Sequence, residues 1–65
     1  MAIRALREAA GMRQYELAAR MGVAQASVCA WEKGESYPSV ENLLKLAEIF
    51  SCSTDEVLGR KTFSA

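Results

Sequence analysis

Few side chains in this 65-residue sequence can make or break a covalent bond. Histidine is absent. The two cysteines, Cys29 and Cys52, are too few for a disulfide framework and lack the partners for a zinc site. There is no glycine-rich phosphate loop and no nucleophile–base constellation. The sequence thus points away from an enzyme and implies no metal, no cofactor and no evident small-molecule substrate. What it offers is hydrogen bonding and charge: the amides of Gln14 and Gln25, the hydroxyls of Ser27 and Ser36, and the cations Arg13 and Lys33. Such groups bind without transforming.

Their positions depend on helices. Gln25 lies in GVAQASVCAWEKG, residues 22–34, whose expected outward residues are Gln25, Ala26, Cys29 and Ala30. Val28 and Trp31, three apart, form the inward face, and Gly34 is the stop. Before it, Ile3, Leu6 and Ala10 predict a first helix ended by Gly11. Residues 14–21 predict a second, with Leu17, Ala18 and Met21 inward and Gly22 as its end. Pro38 disfavours helix at Tyr37. Ser39 then caps a fourth helix over Val40–Phe50, with Leu43, Leu46, Ala47 and Phe50 inward. The run STDE at 53–56 matches a capping box, with Ser53 as cap and Glu56 reaching back, and it opens a short fifth helix that Gly59 ends. No segment alternates as a strand does. The expectation is an all-α, compact five-helix domain over residues 1–59, with residues 60–65 as a tail.

Composition narrows the class further. Half the residues are hydrophobic (51%) and a quarter are charged (25%), as in a globular chain near the lower size limit for one unstapled core. No apolar run approaches the ~20 residues of a membrane span, and no signal-peptide stretch opens the chain. With both thiols read as reduced, the expectation is a soluble cytoplasmic protein with no membrane partner. Net charge is zero. Even so, residues 1–34 carry a balance of +2, residues 35–59 a balance of −4, and Arg60 and Lys61 follow. A basic front and an acidic back could orient the molecule on a polyanion.

One spacing joins the elements. Ala18 precedes Gly22 by four residues, and Val28 follows it by six. Two helices crossing steeply need a small residue at the crossing, a turn residue content with positive φ, and a buried anchor on the second helix. That is the geometry of a helix-turn-helix. On spacing alone, an ordinary helical hairpin in a small bundle fits equally well.

The whole of Ile3–Gly59 resembles the Cro and phage-repressor type of helix-turn-helix domain, the xenobiotic response element family. The motifs are LRE in the first helix, Q-x-E-L-A opening the second, WEKG closing the third, YPS before the fourth, and STDEVLG at the end. The resemblance implies a lambda-repressor-like fold and sequence-specific binding of double-stranded DNA. It further implies a small transcriptional regulator of bacterial or phage origin, expected to repress as a homodimer on a palindromic operator. In this reading helix 3 enters the major groove. Gln25, Ala26 and Ala30 face bases, Ser27 lies near the backbone, and Cys29 is on the outer side. Gln14 and the segment Lys33–Ser36, by its side chains and its backbone N–H groups, meet phosphates. Arg7 and Glu32 correspond to a structural ion pair between helices 1 and 3. The dimer surface would lie near the helix 4–5 loop and helix 5, with Phe50, Val57, Leu58 and Phe63 as candidates, some of which must also fill the core.

Several residues depart from the family pattern. Arg13 stands where Thr or Ser usually caps the second helix, either as drift costing ~1 kcal/mol or as an added phosphate contact. Ala24 replaces a polar cap, and Glu35 would repel a phosphate. Ala26 and Ala30 can touch only a thymine methyl or leave room for water, so Gln25 is the one bidentate reader. Cys29 is either a small tolerated surface residue or an oxidisable thiol on the groove face. Cys52 is expected to be buried as a small hydrophobe. The competing function is a protein-interaction module that keeps the fold, favoured by the zero net charge, the alanines and Glu35.

Overall fold

The structure, a computed structural model, describes residues 1–59. It consists of α1 (Ile3–Ala9), α2 (Gln14–Met21), α3 (Gln25–Lys33), α4 (Val40–Ile49) and α5 (Thr54–Leu58), with no strand among the described residues. None of these helices is long and apolar enough to cross a membrane. The tail expected at 60–65 lies outside the described residues.

All five helices contribute to one core: Ile3 from α1, Leu17, Ala18 and Met21 from α2, Val28 and Trp31 from α3, Leu46 from α4, and Val57 from α5. Leu6, Met12, Val23, Leu43, Ala47, Ile49, Phe50 and Cys52 pack around it, half-buried. Trp31, expected on the inward face of its helix, is buried at 5% exposure. Ala10, expected inward, is exposed, because α1 stops at Ala9 and a tight turn begins there. α2 packs chiefly on α3, and α4 on α5, while α1 touches both α3 and α5. The start of the chain is fastened to the last helix by the Ala2 N–H donating to the Val57 carbonyl at 2.9 Å.

The α2–α3 turn depends on Gly22. Its φ of +70° closes α2 in the left-handed region, and its N–H bonds back to Ala18 and Ala19 carbonyls. A β-carbon there would meet no atom within 4 Å, so the requirement is conformational rather than steric. Beyond the turn, the buried Val28 and Trp31 fix the rotation of α3 about its axis.

Capping is uneven. Ser39 Oγ accepts from Asn42 N–H at 3.2 Å, and Ser53 Oγ from Glu56 N–H at 3.2 Å. The return bond expected from the Glu56 side chain is absent among the described residues' hydrogen bonds. At α2 the balance is reversed: the Glu16 carboxylate accepts from Arg13 N–H at 3.0 Å, but a guanidinium cannot accept in return. Ala24 leaves α3 without a side-chain cap. Ser51, exposed between α4 and α5, holds φ +52° where glycine would be unstrained. These two sites are local weaknesses in the fold. Ala24→Ser and Ser51→Gly are each expected to raise unfolding free energy by about 1 kcal/mol, as measured by urea denaturation. A loss of stability in either variant would contradict this account.

Candidate nucleic-acid interface

α3 separates its residues cleanly by face. Val28 and Trp31 are buried, whereas Gln25, Ala26 and Lys33 are exposed and Cys29 and Ala30 are half-exposed. Residues 25/26, 29/30 and 33 recur at helical spacing, so they form one outward stripe. It carries a single side chain that can both donate and accept, Gln25, followed by methyl groups, a thiol and one cation. Ser27 is half-buried beside the stripe, and its N–H is taken by the Ala24 carbonyl at 3.0 Å. The burial of Cys52 pushes its thiol pKa up, with Glu56 adding to the effect, as suits a half-buried packing residue.

Behind α3, one carboxylate gathers three elements. Arg7 Nε donates to Glu32 Oε2 at 2.7 Å and Arg7 Nη2 to Glu32 Oε1 at 3.1 Å, a two-pronged pair. Arg7 Nη1 donates to the Met12 carbonyl in the α1–α2 turn at 2.9 Å. The Glu32 side chain is 4% exposed and that of Arg7 11%. Burial alone would raise the Glu32 pKa, but bonds from Arg7 and from Gln14 outweigh it and hold the carboxyl below its usual value. The Arg7 guanidinium is raised in turn, chiefly by its bonds to Glu32.

Gln14 is the part of this network that sequence did not disclose. Its Nε2 donates to Glu32 Oε1 at 3.1 Å, so the first residue of α2 is tied to the end of α3. No spacing signals a contact across eighteen residues between helices whose crossing is unknown from sequence. The backbone N–H groups of Gln14 and Tyr15, in the first turn of α2, have no acceptor within the helix. Arg13, immediately before them, is exposed. Tyr15 and Tyr37, 54% and 74% exposed, add hydroxyls that the sequence reading did not single out.

Two expectations need correction. Backbone N–H groups near Lys33–Ser36 were expected to face phosphates, but those of Gly34, Glu35 and Ser36 fold back onto the end of α3. Glu35 and Ser36 donate to the Ala30 carbonyl at 2.9 and 3.4 Å. The side chains of Lys33, Glu35 and Ser36 remain exposed there, and of these Lys33 and Ser36 can donate to a phosphate. Val57, expected on a dimer surface, is fully buried, because it anchors α5 in the core. Of its companions, Phe50 is half-buried, Leu58 is 37% exposed, and Phe63 lies outside the described residues.

Comparison with known proteins gives concordant matches. Residues 3–57 match the family described as helix-turn-helix. Repressor protein C2 of Salmonella phage P22 is 39% identical over 56 residues, covering 86% of this chain and 26% of that protein. The cryptic phage CTXphi transcriptional repressor RstR of Vibrio cholerae is 37% identical over 54 residues, covering 83% of this chain and 48% of that one. The chain therefore spans between a quarter and a half of the length of these relatives. Among solved structures, the P22 c2 repressor in complex with synthetic operator 9T in the presence of Tl+ superposes with a TM-score of 0.80 at 38% identity, covering 85% of this chain and 83% of that one. A transcriptional regulator from Listeria innocua superposes at 0.82 with 27% identity, covering 95% and 58%.

The buried pair makes stability depend on pH. Because the folded Glu32 pKa is depressed, its contribution is complete above the ordinary carboxylate value of about 4.3 and is lost as pH falls through the folded value. Melting temperature should drop on acidification over that window. Glu32→Leu, which strands the Arg7 charge, should cost about 3–5 kcal/mol, whereas Arg7→Met combined with Glu32→Leu should recover most of that loss and flatten the acid limb. A double variant no more stable than the single one in urea unfolding would refute this.

Proposed function

Since the chain belongs to the helix-turn-helix family, we propose that it binds double-stranded DNA as a small transcriptional regulator, acting as a repressor with α3 in the major groove. The observation that carries this reading is the outward stripe of α3, held by buried Val28 and Trp31 beside the open first turn of α2. The superposition on a repressor described in complex with an operator supports it. Gln25 reads adenine through its amide, and Ala26 and Ala30 offer methyl faces to thymine. Ser27 and Cys29 flank the read positions. Gln14 and the free N–H groups of α2 meet a phosphate, as donors at a helix N-terminus suit an anion. Arg13, Lys33 and Ser36 add contacts to the DNA backbone.

Magnitudes favour two copies. One bidentate contact supplies ~1–3 kcal/mol of discrimination, whereas specific binding generally exceeds non-specific binding by ~4–10 kcal/mol. A homodimer on a palindrome with half-sites about one helical turn apart doubles the single contact. Leu58 is the exposed member of the surface assigned to that dimer. A second reading, a protein-interaction module on the same fold, draws on Glu35 in the loop after α3 and on exposed Tyr37, Val40 and Leu44.

Selection from random duplex DNA at two salt concentrations tests the reading. A palindrome should be enriched, and with two outward cations per half-site, Arg13 and Lys33, the affinity of the dimer should fall with salt at a log–log slope of about −4. Gln25→Ala should relax preference at one position per half-site, while Gln14→Ala should weaken all sequences alike. No enrichment, with no binding even at low salt, would leave the interaction module. Equal losses across all sequences in both variants would overturn the assigned roles.

A further inference from the structure

The bond between Gln14 and Glu32 does more than fill a valence. A glutamine amide can present either its NH2 or its oxygen, and an oxygen aimed at a phosphate is repelled. A carboxylate only accepts, so it compels the amide nitrogen of Gln14 to face it, at 3.1 Å. Glu32 cannot yield, because Arg7 grips both of its oxygens and its side chain is 4% exposed. One N–H of Gln14 is thereby spent and the other is left in a fixed direction, next to the open first turn of α2.

We propose that Glu32 is a positioning residue for DNA binding, holding the Gln14 amide so that its second N–H is already set to donate to a backbone phosphate. This rests on the DNA-binding reading above. The same carboxylate belongs to α3, so the base-reading helix and the phosphate donor on α2 are set relative to each other by one group. A free glutamine would lose its rotamer freedom on binding, whereas a tethered one has lost it in folding. The saving corresponds to roughly three- to tenfold in affinity.

Two measurements on the full chain decide the matter. In the free protein, NMR should show the two Gln14 amide protons as distinct, one of them protected from solvent exchange, and the other should shift when the duplex enriched by selection is added. Two protons exchanging alike would overturn the proposal without any variant. Next, Gln14→Ala is measured against that duplex in the wild type and in the Arg7→Met/Glu32→Leu background, with helicity checked by circular dichroism. The substitution should cost about tenfold in the wild type and less than twofold without the tether. Equal losses in both backgrounds would overturn the positioning role, and if the double variant does not fold, the amide protons decide alone. A tethered amide with no loss on Gln14→Ala would reduce the bond to a structural one, even where Gln25 still reads a base. If the wild type binds no duplex at all, the DNA-binding reading fails, and the positioning role fails with it.

Discussion

The rest of the molecule is arranged around the buried pair of Arg7 and Glu32. Removing two charges from water costs several kcal/mol for each, and their attraction offsets this only when every remaining hydrogen-bonding site is filled. Here each of the five polar side-chain atoms of the pair has a partner: the guanidinium also reaches the Met12 carbonyl, and the carboxylate takes Gln14 as well as Arg7. The result adds little net stability but strongly restricts geometry. Moving α1 or α3 would leave a charge unpaired, and moving α2 or the α1–α2 turn would leave a buried hydrogen-bonding group unfilled; those penalties select one arrangement.

Such selection matters in a chain of this size. A domain of about 60 residues buries only about 60% of its unfolded surface, and here the fully buried large side chains are Ile3, Leu17, Leu46, Val28 and Val57. A core this small can be satisfied by more than one packing of short amphipathic helices, because apolar contacts are not directional. The Gly22 turn and the ion pair are directional. Together they turn a generic five-helix cluster into one with a defined crossing of α2 and α3.

Much of this was legible in the sequence because it followed local rules. The bounds of α2 and α3, the positive φ at Gly22, and the Ser39 and Ser53 caps depend on residues within four positions of one another. The outward stripe of α3 was legible for the same reason, since its periodicity is fixed once Val28 and Trp31 face inward. What escaped depends on how helices meet. The Gln14–Glu32 bond joins residues that only tertiary packing brings together. Val57 and Leu58 are adjacent and both apolar, and nothing in their local sequence says which one the core takes. The N–H groups of Glu35 and Ser36 were expected at phosphates from family resemblance, but the open carbonyl at the end of α3 competes for them first. The Arg7–Glu32 correspondence came from family resemblance, not from residue pattern.

On the proposed reading, the zero net charge then acquires a physical consequence. A protein without excess positive charge gains little from long-range attraction to a polyanion, so encounter is slow and binding must come from short-range contacts. Short-range contacts tolerate little misplacement, and α3 offers one amide, two methyl faces and a thiol with which to make them. Few contacts, each sensitive to position, require a frame that does not adjust on binding. A strongly basic homologue of the same fold could accept a looser frame and let charge compensate. In this chain the buried pair that restricts the fold also limits how much recognition can be lost to motion, so the sparse reading helix and the fully satisfied ion pair are parts of one solution.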